Sequence, residues 1–114
     1  MLVRGAPAIG VAAAFGMALA ARRAARLGPA AFHRELVRSE RLLAGSRPTA
    51  VNLFWALARM RRLIAAVAAR PAREIAALLE VEAVGILEED IAINRAMGRF
   101  GAALISDGDV VLTH

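Results

Sequence analysis

From position 6 to position 21 no charged side chain interrupts the chain, and alanine fills much of the run. A stretch of this kind has three possible fates: a membrane span, a cleaved leader or a buried helix. Ending at Ala21, it falls short of the roughly 20 residues needed to cross a bilayer. Pro7, Gly10 and Gly16 interrupt it, and although Ala18-Leu19-Ala20 mimics a cleavage site, Arg22, Arg23 and Arg26 carry the helical pattern onward. The run therefore predicts a buried helix in the middle of the packing, apolar nearly all round. A chain without leader or span is expected in the cytoplasm.

Around that helix the 114 residues suffice for one modest core. All 15 basic residues are arginine, and with abundant alanine this reads as coding bias before it reads as function. Aromatics are scarce, with four Phe and one Trp, so Ala, Leu, Ile and Val must build the core by close helix approach. The absence of cysteine excludes disulfides, thiolate metal sites and cysteine nucleophiles from this stretch. A net charge of +5 invites a nucleic-acid partner. The arginines are dispersed over several helices, and no aromatic residues interleave with them for stacking, so a solvated basic surface is expected instead.

Punctuation by proline and glycine divides the chain into four predicted helices over 7–27, 29–43, 48–69 and 71–105. The first stops at Gly28-Pro29 and the second at Ala44-Gly45-Ser46, with Arg34, Glu35, Arg38 and Arg41 forming the polar face of the second. In the third, Leu53, Leu57, Met60, Ile64 and Val67 recur at helical spacing, placing Arg59, Arg61 and Arg62 toward water. The fourth keeps one face through Ile75, Leu79, Ala83, Ile86, Ile93, Met97, Phe100 and Leu104. Gly98 marks a place for a break or kink. After the Asp107-Gly108 turn signal, Val110-Val111-Leu112-Thr113 predicts a short buried strand. A lone strand leaves backbone groups without partners, so this one implies a piece of a larger protein or pairing with another chain, the first being preferred.

Two segments have the character of anion sites. In Val3-Arg4-Gly5-Ala6-Pro7-Ala8-Ile9-Gly10 an arginine and a glycine precede a proline suited to a first helical turn. The amides of such a start point outward and carry partial positive charge, which Arg4 reinforces. Ser46-Arg47-Pro48-Thr49-Ala50-Val51-Asn52 repeats the logic, with Ser46 or Thr49 able to add a hydroxyl. Each segment alone is weak evidence, since arginines before helices are common. Glu88-Glu89-Asp90 has the composition of a catalytic or metal-binding carboxylate group, but His33 and His114 are remote in sequence. Asp90 interrupts the apolar stripe and is expected to be partly buried and paired with an arginine, with Asn94 a polar partner of the same kind. His114, at the carboxyl end of the predicted strand, occupies a position where α/β folds often place functional residues. No Ser/His/Asp grouping and no Walker-type loop completes a catalytic set.

These two segments, with Val111-Leu112-Thr113-His114, resemble the methylthioribose-1-phosphate isomerase family in order and spacing over essentially the whole chain. The resemblance implies an aldose–ketose isomerisation of 5-methylthioribose 1-phosphate to 5-methylthioribulose 1-phosphate in methionine salvage, with no metal and no organic cofactor. It assigns substrate binding to Arg4, Gly5, Ala6 and Arg47. It places the catalytic groups outside this chain: a cysteine in a Cys-Asn-Ala-Gly-like block just after His114, and a later aspartate in a Rossmann-like domain. Family members are roughly three times this length, as two-domain chains are. The implied organisation is a mainly α fold, with residues 1–107 a four-helix N-terminal domain incomplete at its start. Residues 108–114 would then be the first strand of a truncated Rossmann-like α/β domain. The implied partners are a small sugar phosphate and a second copy in the full-length homodimer, with no nucleic acid and no membrane. A non-catalytic regulatory subunit of the same superfamily, of the translation-initiation exchange factor type, is the alternative.

Overall fold

The protein is described by a computed structural model that covers residues 5–112. Its elements are four helices: α1 (Ala6–Ala24), α2 (Pro29–Ser46), α3 (Val51–Ala66) and α4 (Ala72–Ala102). The apolar run of α1 does lie at the centre, packed against α4, α3 and α2 in decreasing extent. Ala13, Ala14, Met17, Ala18, Ala21 and Ala24 are its buried residues below the first turns. They meet Phe32 and Leu36 of α2, Leu53, Leu57 and Met60 of α3, and Ile75, Leu79, Ala83 and Ile86 of α4. Small alanines on α1 let three neighbours approach one helix, and no polar or charged residue is buried among the described residues. None of the helices is long and apolar enough to cross a membrane.

Helix ends depart from the sequence pattern where local hydrogen bonds override it. α2 runs on through Gly45 to Ser46, whose hydroxyl donates to the Leu43 carbonyl at 2.6 Å and satisfies an end-of-helix acceptor. α3 starts three residues later than Pro48, because residues 47–50 form a turn closed by the Ala50 N–H donating to the Arg47 carbonyl at 3.0 Å. Pro48 thus occupies the second position of a turn, which its fixed φ also suits. α4 follows Pro71 without interruption through Gly98, so the expected break there does not occur.

Two expectations about the end of the chain are corrected. Residues 110–112 form no strand; Val110 and Leu112 are each 98 % exposed and unpaired in any sheet among the described residues. Their β-forming composition has no neighbouring strand to pair with, and an isolated strand is not stable. Thr113 and His114 lie outside the described residues. The turn before it is present: Gly108 has φ +86°, Asp109 N–H donates to the Ser106 carbonyl at 3.2 Å, and Ser106 N–H donates to Asp109 Oδ2 at 2.7 Å. The apolar stripe of α4 also changes character after Ile86. Ile93, Met97 and Phe100 share a face as their spacing predicts, while Leu104 falls past the end of the helix at Ala102, and all four are exposed. A helix of 31 residues is about 46 Å long, so its second half outreaches α1 and projects from the bundle.

Candidate functional site

The starts of α1 and α3 lie side by side. Gly5 caps α1 with φ +92° and ψ 133°, a conformation that only glycine adopts without strain. Its carbonyl accepts the Ile9 N–H at 3.1 Å and closes the first turn. No side chain caps that start, and neither α1 nor α3 carries an acid in its first turn. The partial positive charge of both helix ends is therefore not offset locally.

Between them lies an open cleft of about 590 Å³ lined by Gly5, Ala6 and Ile9 from α1, and by Arg47, Thr49, Ala50, Val51 and Asn52 from the turn and the start of α3. Three of the four residues expected to hold substrate, Gly5, Ala6 and Arg47, thus share one surface although some forty positions separate them. The fourth, Arg4, lies outside the described residues. Arg47 is half-buried and borders a second, smaller cleft of about 300 Å³ with Ile9, Ala12, Ala13, Leu43, Ser46 and Leu53. The volume of the larger cleft suits a small ligand. Thr49 is among the residues lining this cleft, whereas Ser46 belongs to the smaller one and spends its hydrogen on Leu43. Ile9 and Asn52 were not singled out beforehand; their position inside the two quoted segments was the available signal.

The acidic segment proves to be a structural tie. Arg59 donates through Nη1 and Nη2 to Glu89 Oε2 and Oε1 at 2.5 and 2.7 Å, and through Nε to Glu82 Oε1. Its side chain is only 22 % exposed, so it does not face water as its place off the stripe suggested. These hydrogen bonds hold the Glu89 carboxyl below its ordinary value and the guanidinium above its own. Asp90 is half-buried, but it accepts the Asn94 Nδ2 amide, at 3.1 Å on Oδ1 and 2.8 Å on its carbonyl, while the arginine goes to Glu89. No group of three or more His, Cys, Asp or Glu residues able to hold a metal occurs among the described residues.

An all-helical domain with an anion-suited cleft between two helix starts is thereby defined. The chain matches the initiation factor 2 subunit family over residues 2–114 and belongs to that family. It is 50 % identical over its whole length to the methylthioribose-1-phosphate isomerase of Geobacter metallireducens, covering 33 % of that protein. To the isomerase of the same name from Stenotrophomonas maltophilia it is 54 % identical, over all of this chain and 31 % of the relative. A 5-deoxyribose 1-phosphate isomerase of Moorella thermoacetica is 48 % identical over 98 % of this chain and 32 % of its own length. The crystal structure of 5-methylthioribose 1-phosphate isomerase from Pyrococcus horikoshii superposes with a TM-score of 0.89 at 42 % identity, over 95 % of this chain and 30 % of that one. The chain thus spans about a third of the length of the curated relatives it matches.

Proposed function

We propose that this chain is the phosphate-holding part of an aldose–ketose isomerase whose substrate is 5-methylthioribose 1-phosphate. The observation that carries the reading is the single cleft formed by Gly5, Ala6 and Arg47 from two separate helix starts. A phosphate dianion there would meet outward-pointing backbone amides from both helices and the planar fork of Arg47. Arg4, by its place next to Gly5, is the further cation of this group. Both named activities among the relatives concern a sugar 1-phosphate and differ at the 5-position, which agrees with a domain that recognises the shared phosphate.

Of the described residues lining the cleft, none is a carboxylate, histidine or cysteine. Moving a proton between the first two sugar carbons needs such groups, each contributing roughly 10² to 10⁴ in rate. In the proposed whole protein they are a cysteine just beyond His114 and an aspartate of a Rossmann-like domain, with residues 108–114 leading into that domain. The exposed apolar residues Ile93, Met97 and Phe100 of α4, with Leu104 just past its end, support a second body packed there, since exposed stripes of this kind mark interfaces.

Titration of the 15N-labelled chain with 5-methylthioribose 1-phosphate tests the reading. Saturable shifts are expected at the amides of Gly5, Ala6, Thr49 and Asn52. Arg47→Ala should weaken binding by roughly 10- to 100-fold, as loss of a charge-assisted contact does. The 114-residue chain should show no isomerase turnover, whereas the longer protein should. Absence of amide shifts, or turnover by the chain alone, would overturn the proposal. Binding by a longer protein that lacks turnover would instead favour a regulatory subunit of the same family.

A further inference from the structure

Gly10 lies in the second turn of α1, buried, in a run dominated by alanine, the best helix former. Glycine is among the poorest residues for a helix interior, so its presence there calls for a tertiary reason. A methyl group on its Cα would stand 2.8 Å from the Asn52 carbonyl oxygen, 3.3 Å from the carbonyl carbon and 3.5 Å from Asn52 Cβ. The two nearest of these atoms are backbone of the first turn of α3 and cannot swing aside as a side chain does. Gly16, two turns along α1, makes the contrast. The three atoms nearest a methyl there all belong to the Leu43 side chain, its branch ends at 3.2 and 3.3 Å and Cγ at 3.8 Å, which a rotamer change can relieve.

We infer that Gly10 is a positioning residue: by admitting the Asn52 backbone against α1, it sets the distance between the two helix starts that form the cleft. Asn52 lines the cleft, and Ala50 and Val51 beside it do so as well. Any added bulk at position 10 drives this edge away from Gly5 and Ala6. A ligand that spans both helix starts then loses simultaneous contact with them, as a misplaced site does. The ligand readout rests on the proposed sugar-phosphate site; the spacing itself does not.

The test compares Gly10→Ala with Gly16→Ala in the full 114-residue chain. Both are made in a background carrying Gly98→Ala and Gly101→Ala, whose methyl groups enter open space on α4, a helix that gives no residue to the cleft lining among the described residues, and strengthen that helix. Without ligand, Gly10→Ala is expected to move the amide resonances of Gly5, Ala6, Ala50, Val51 and Asn52, and Gly16→Ala is expected to leave them in place. With 5-methylthioribose 1-phosphate, Gly10→Ala should raise the Kd tenfold or more and Gly16→Ala less than twofold. Unchanged cleft amides in Gly10→Ala would overturn the assignment. So would its failure to fold where Gly16→Ala folds, because that outcome makes Gly10 a packing requirement rather than a spacer. If the unsubstituted background binds no sugar phosphate, the proposed function fails, and the amide shifts alone decide the role of Gly10.

Discussion

Arg59 of α3 and Glu89 of α4 form a two-pronged ion pair, with Nη1 2.5 Å from Oε2 and Nη2 2.7 Å from Oε1. The Nε of the same guanidinium reaches Glu82, and its carbon lies 5.6 Å from the centre of the Trp55 ring. α3 and α4 pack far less on each other than either does on α1. One arginine thus ties together two helices that otherwise meet mainly through a third. Arg59→Met keeps the apolar stem and removes the fork. It should lower unfolding free energy by about 1 kcal/mol, a modest figure because solvent screens part of the pair. Urea denaturation measures it, and an unchanged midpoint would show the tie to be idle.

The pair also sets a pH dependence. Hydrogen bonding from Arg59 depresses the Glu89 carboxyl below its ordinary value of 4.5, and Arg59 stays charged throughout the accessible range. A depressed acid contributes stability that is fully present above the unfolded value and is lost as pH falls through the folded one. The urea midpoint should therefore fall as pH drops below about 4.5, and Glu89→Gln should flatten that slope while leaving other acid effects in place. An identical slope in Glu89→Gln would assign the acid sensitivity elsewhere.

Gly5→Ala places a side chain at φ +92° and ψ 133°, a region nearly closed to anything but glycine. The expected cost is of order 1–3 kcal/mol, unless the first turn of α1 unwinds to avoid it. Either response disturbs the amides facing the cleft. Phosphate affinity should then fall together with α1 amide protection in hydrogen exchange, and retention of both would contradict the capping geometry.

Phe100 in the projecting half of α4 and Leu104 just past its end, 74 % and 84 % exposed, offer a test of this surface. In the 114-residue chain, Phe100→Glu with Leu104→Glu should change stability by no more than about 0.5 kcal/mol, as exposed substitutions do. It should also reduce concentration-dependent association in sedimentation velocity. In the proposed longer protein the same pair should destabilise by roughly 2 kcal/mol or more, because charge would be buried at the proposed domain contact. Equal tolerance in both forms would leave this face uncovered.

Much of the architecture was legible because it rests on local signals. The break at Gly28-Pro29, the start at Pro71 and the spacing of Leu53, Leu57 and Met60 predict helices that are present, although α1 already ends at Ala24, and those three side chains are buried as expected. Misreadings arose where a local signal had two structural meanings. Pro48 suits a helix start and a turn equally, and the hydrogen bond between Ala50 and Arg47 selects the turn. Arg59 lies off the apolar stripe, yet that position faces α4 rather than water. Val110 and Leu112 have strand chemistry but no strand beside them.

By itself the sequence determined four helices in order, a central α1 and two arginine-bearing segments suited to anions, since periodicity, proline and glycine act within a few residues. Only the tertiary structure decided that Gly5, Ala6 and Arg47 share a cleft, that Glu89 rather than Asp90 takes the arginine, and that α4 is half uncovered. Those outcomes depend on how closely and at what rotation distant helices pack. At Gly10 that closeness comes down to the absence of one methyl group against the Asn52 backbone.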